Sequence, residues 1–111
     1  MHGTVLLLDS DRSSLVDVDL FRANGLTVYH CHDVDRALKQ LQDVGADVIV
    51  VRSAAPSPST VGALRGLADH ATSIVVVAGV EDREEARMAG ADSFLLNSAP
   101  PADLLYEITA H

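Results

Sequence analysis

Short apolar runs alternate with longer stretches of mixed polarity along the chain. Residues 4–8 (TVLLL) form a continuous apolar run, as expected of a strand buried on both faces. Asp9, Ser10 and Asp11 end that run and offer caps for a helix predicted over 13–24, which Gly25 terminates. Residues 26–32 (LTVYHCH) alternate in polarity and are rich in strand formers, so this strand is expected to be less buried. Asp33 caps a second helix running to about Val44, with Gly45 after it. Residues 47–51 (DVIVV) read as a third strand, 53–60 as a Ser/Ala/Pro loop, and 61–69 as a helix. Ser73–Ala78 is the fourth strand, 81–89 a short charged helix before Gly90, and Ser93–Leu96 the fifth strand. Pro100 and Pro101 open the last helix, where proline suits the first turn.

Five strand–helix units with apolar strands 1, 3 and 4 predict an α/β fold: a parallel sheet with helices on both faces. Right-handed crossovers leave few topologies, and the flavodoxin-like doubly wound order 2-1-3-4-5 puts the more polar strand 2 at an edge. That order brings the carboxyl ends of strands 1 and 3 side by side, where a ligand would sit. With 111 residues, no repeat and no linker, residues 1–111 are expected to form one domain.

Charge and cysteine content narrow the function classes. Sixteen acidic residues against eight basic ones give a formal charge of −8. Such a surface repels phosphate backbones, so no nucleic-acid partner is expected. No apolar run reaches the ~18 residues of a membrane span, and no signal peptide is visible. One cysteine excludes an internal disulfide framework and a four-cysteine zinc site. A cytoplasmic protein is the expectation.

The predicted strand ends carry Asp9 and Asp11 after strand 1, Arg52 after strand 3, Ala78 after strand 4 and Asn97 after strand 5. Together with VLLLDSD at 5–11, ADVIVV at 46–51 with Pro56 beyond it, and AGADSFLL at 89–96, the chain resembles the receiver domain of two-component response regulators. The resemblance implies phosphoryl transfer to an aspartate at the end of strand 3. It also implies Mg²⁺ on that aspartate and on acids after strand 1, with a hydroxyl after strand 4 and a lysine after strand 5 contacting the phosphoryl group. Asp9 and Asp11 match acidic positions, and Ser10 stands between them where another acid is common. Arg52 occupies the phosphoacceptor position, Ala78 the hydroxyl position and Asn97 the lysine position, with Ser98 where a proline usually follows.

These departures point to a degenerate, pseudo-receiver variant. A guanidinium cannot accept a phosphoryl group as a carboxylate does, and it stays protonated. It also repels Mg²⁺, which requires oxygen ligands and negative charge. No catalytic residue, metal or cofactor is therefore expected, and Arg52 is expected to pair with Asp9 or Asp11 in place of the metal. Asp47 and Ser53 are the alternative acceptors. Phe94 matches the switch-like aromatic of the family, and the absence of a hydroxyl at Ala78 predicts one locked conformation. The expected function is that of a phosphorylation-independent signalling module acting through a protein partner or a homodimer. The face implied by the resemblance, helix 4 to strand 5 to helix 5, includes Arg83, Arg87, Met88, Tyr106 and Glu107, with Leu105 expected in the core. The alternative reading is a small-ligand or anion sensor using Arg52 and Asn97.

Other signals are weaker. His30 and His32 lie two apart on strand 2 and share a face, but no third metal ligand is indicated, so they read as surface or partner-facing histidines. Cys31 faces the other way and reads as a buried, inert thiol. Ser53, Asp69 and His70 do not form a catalytic triad pattern, and no phosphate-binding glycine motif occurs.

Overall fold

The computed structural model describes residues 3–9, 15–52, 58–68 and 71–109. Five parallel strands form one sheet: β1 (Thr4–Asp9), β2 (Thr27–Cys31), β3 (Val48–Arg52), β4 (Ser73–Ala78) and β5 (Ser93–Leu96). Their order is β2-β1-β3-β4-β5, so β2 lies at an edge as its alternating polarity predicts. The helices are α1 (Leu15–Ala23), α2 (Val34–Asp43), α3 (Pro58–Leu67), α4 (Arg83–Ala89) and α5 (Pro101–Thr109). The flavodoxin-like doubly wound α/β architecture follows directly.

Two apolar layers hold the sheet. Leu6, Leu8, Ile49, Val51, Ile74, Val76 and Ala78 face α2, α3 and α4, meeting Ala37, Leu41, Val61, Leu64 and Ala86. Val5, Leu7, Val48, Val50, Val75 and Val77 face the other way, meeting Val18 and Phe21 of α1 and Leu104 and Ile108 of α5. The central strands thus bury both faces, which is why they read as unbroken aliphatic runs. Each fully buried aliphatic side chain contributes roughly 1.5–3 kcal/mol of transfer free energy.

Helix boundaries follow local chemistry. Asp33 adopts an extended backbone (φ −137°, ψ 158°) and its carboxylate accepts from the Arg36 N–H at 2.8 Å, capping α2 as expected. The third helix begins at Pro58, earlier than the expected 61, because proline is tolerated in a first turn whose N–H groups have no intrahelical partner. The fourth helical stretch divides: Val80–Asp82 is a 3₁₀ turn closed by Asp82 N–H to Gly79 O at 3.0 Å, and only Arg83–Ala89 is α-helical. Gly90 ends it in the left-handed conformation (φ 114°), and a Cβ there would lie 3.0 Å from Arg65 Cγ.

Polar side chains tie the amino ends of the strands. The Asp47 carboxylate accepts from Thr4 N–H at 2.8 Å. The Asp92 carboxylate accepts from Ile74 N–H at 2.8 Å and from Arg65 Nη1 at 3.0 Å. Arg65 Nη2 donates to Thr72 O at 2.9 Å, and the buried Thr72 hydroxyl donates to Ala46 O at 2.6 Å.

Candidate functional site

The carboxyl ends of the strands converge as the topology requires. Asp9 is the register partner of Arg52, and Arg52 in turn faces Val77. Neighbouring strands lie about 4.8 Å apart, so a carboxylate-bearing and a guanidinium-bearing residue end adjacent strands on the same face of the sheet. Asp9 is only 1% exposed, while Arg52 is half-buried. Ala78 closes β4 fully buried, and its carbonyl accepts from Asn97 N–H at 3.0 Å. The Asn97 and Ser98 side chains are exposed. Asp9, Arg52, Ala78 and Asn97 are therefore gathered at one end of the sheet. Ser10, Asp11 and Ser53 lie outside the described residues, as do Pro56, Asp69 and His70.

Asp47, the other alternative acceptor, is at the opposite end. Its carboxylate bonds the first residue of β1, so it is separated from Asp9 by the length of the strand. That removes it as a substitute phosphoacceptor in this pocket.

The aromatic Phe94 is register partner of Val76, one pleat below Ala78, and packs half-buried against the layer covered by α4. The Arg83 guanidinium carbon stands 5.9 Å from its ring centroid, within cation–π range. A groove between α4 and β5 is lined by Arg83, Glu84, Arg87 and Phe94, among others. Arg87 is held at 2.6 Å by Glu84, and this contact raises the guanidinium pKa further above its ordinary value. Met88 is 79% exposed and Tyr106 73% exposed, so both stand in solvent on α4 and α5. Leu105 packs against the α1–α5 layer, as expected, and Glu107 is half-buried.

Near the strand ends lies a feature that hydropathy alone did not resolve. His30 and His32 share a face, with ring centroids 4.6 Å apart and planes tilted by 56°. His32 is exposed, and its Nδ1 lies 3.0 Å from Asp9 O. His30 is half-buried rather than a surface histidine, and its Nε2 is out of water with no hydrogen-bond partner. Burial, helped by the neighbouring His32 and Arg22, holds the His30 pKa below its ordinary value against the opposing pull of Asp9. Cys31, between them in sequence, turns into the opposite core layer, and burial pushes its thiol pKa up. Among the described residues, no group of three or more His, Cys, Asp or Glu side chains could hold a metal ion. Nor is any described helix long and apolar enough to cross a membrane.

No protein-family model and no curated protein matches the chain. Solved structures do. A CheY-like response regulator receiver domain protein from Methanospirillum hungatei JF-1 superposes with a TM-score of 0.84 at 17% identity, over 99% of this chain and 93% of that one. The receiver domain of the Francisella response regulator 1452 gives 0.82 at 22% identity, over 97% and 94%. The chemotaxis response regulator CheY4 of Vibrio cholerae gives 0.84 at 22% identity, over 99% and 98%. The chain thus has the fold of response-regulator receiver domains across almost its full length.

Proposed function

We propose that this chain is a signalling module with a receiver fold that works without phosphorylation, by docking a protein partner or a second copy of itself. The observation that carries this reading is the register pair Asp9–Arg52. On the resemblance to receivers, a permanent cation stands where a carboxylate would receive phosphate. The fully buried Ala78 supplies no hydroxyl, and Asn97 supplies no ammonium. Together these leave a pocket that neither binds Mg²⁺ nor senses a phosphoryl group, so the module is non-catalytic and carries no cofactor. Its setting is cytoplasmic, and its acidic surface disfavours nucleic acid.

The docking face is the α4–β5–α5 side. Exposed Met88 and Tyr106 supply apolar area, and the groove between α4 and β5 offers Arg83 and Arg87 around Phe94. Aromatic and arginine side chains are the types enriched at protein interfaces. Phe94, under Arg83 and without a hydroxyl at Ala78 to engage, keeps one conformation, so the face is presented constantly. The alternative reading, an anion sensor built on Arg52 and Asn97, rests on the same strand ends.

Sedimentation velocity, with and without Mg²⁺ and a small-molecule phosphodonor, tests this reading. The proposal expects the same distribution of species under both conditions. Self-association that appears only with the phosphodonor contradicts it.

A further inference from the structure

We propose that His30 and His32 form a two-histidine binding site for a divalent cation of the zinc type on the edge of the sheet. The site lies apart from the docking face. Side chains two apart on a strand point to the same side, and here the two rings meet, with centroids 4.6 Å apart. Imidazole is a donor that suits zinc, nickel and copper rather than magnesium.

Two details separate this pair from chance neighbours. The Nδ1 of His32 donates to Asp9 O at 3.0 Å, which fixes the ring's tautomer and leaves Nε2 with its lone pair. An Nδ1–H bonded to a carbonyl is the usual outer support of a histidine whose other nitrogen ligates metal. The second detail is His30 Nε2, which lies out of water with no hydrogen-bond partner. A buried polar nitrogen left unpaired is costly, and coordination would satisfy it.

The surroundings set the strength. Leu7 is the register partner of His30, so Asp9, two residues on in β1, ends its strand on the same face as the pair. Its negative charge favours a cation there. Arg22, whose Nη2 donates to Val28 O at 3.2 Å, opposes it. Cys31 is excluded as a ligand because it packs into the other core layer. His30 Nε2 lies out of water, so solvent would reach the ion only from the exposed His32 side, and two protein nitrogens make a site of modest affinity that protons compete for.

Calorimetric titration of the full chain with zinc chloride at pH 7.5, with ¹H–¹⁵N long-range spectra of the imidazoles, tests the proposal. The expected result is one Zn²⁺ per chain, with the Nε2 signals of His30 and His32 moving together. Affinity should fall at least about tenfold in both His30→Gln and His32→Gln. Millimolar Mg²⁺ should not displace the ion. His32 is exposed, so His32→Gln leaves the core intact and decides the matter even if His30→Gln misfolds. No uptake of Zn²⁺, or uptake undiminished by His32→Gln, overturns it.

Discussion

Asp9 and Arg52 end adjacent parallel strands in register, so a nearly fully buried acid and a half-buried guanidinium stand side by side at the carboxyl edge of the sheet. If the guanidinium offsets the negative charge gathered there, its removal leaves that charge uncompensated in a poorly solvated place. Arg52→Ala should then lower the melting temperature. Losing one partner of a buried ion pair costs about 3–5 kcal/mol, and the half-exposed position of Arg52 reduces the expectation to about 1–3 kcal/mol. Thermal unfolding between pH 6 and 8 checks this. Unchanged stability across that range would show that Arg52 does not act as an internal cation.

Asp92 joins elements that are distant in sequence. Its carboxylate accepts both from Ile74 N–H and from Arg65, 27 residues away. Asp92→Ala leaves a backbone donor at the start of β4 and the Arg65 guanidinium without this acceptor, so a loss of roughly 1–3 kcal/mol is expected. Arg65→Ala leaves Asp92 its bond to Ile74 N–H but also removes the bond to Thr72 O, so a loss of similar size is expected. Denaturant titration of both variants and of the double variant measures the coupling, and purely additive losses would show that the two side chains do not cooperate.

The strands were far more legible in the sequence than the contacts that refine them. Ser73–Ala78 and Ser93–Leu96 have the bounds their composition predicts, since unbroken apolar runs between polar breaks leave little choice. The third strand sits one residue later than expected, at Val48–Arg52. Asp47 is spent on Thr4 N–H, a bond between residues 43 apart that no local pattern reveals. The strand-end group Asp9, Arg52, Ala78 and Asn97 was predictable from topology, because the carboxyl ends of parallel strands converge. His30 was not. Its alternation marks it as polar-facing, yet Val28 on the same face of β2 joins the layer shared with α1, and His30 is half-buried there.

Stability should fall in mild acid because of His30. Burial holds its folded pKa below the ordinary 6.5, so the unfolded chain takes up a proton first as pH drops through that value. The contribution is therefore complete above about pH 6.5 and is lost as pH falls toward the depressed folded pKa. Denaturation midpoints measured with EDTA between pH 7.5 and 5 should decline more steeply for the parent than for His30→Gln. Parallel curves would mean that His30 is not the group responsible.

Whether this pocket accepts a phosphoryl group is the most direct test. Incubation of the full chain with Mg²⁺ and a small-molecule phosphodonor, followed at once by intact mass spectrometry, measures that. The expected result is the unmodified mass alone, under conditions that phosphorylate a receiver with an aspartate at the end of its third strand. A species heavier by one phosphoryl group, lost on treatment that hydrolyses acyl phosphates, would contradict it.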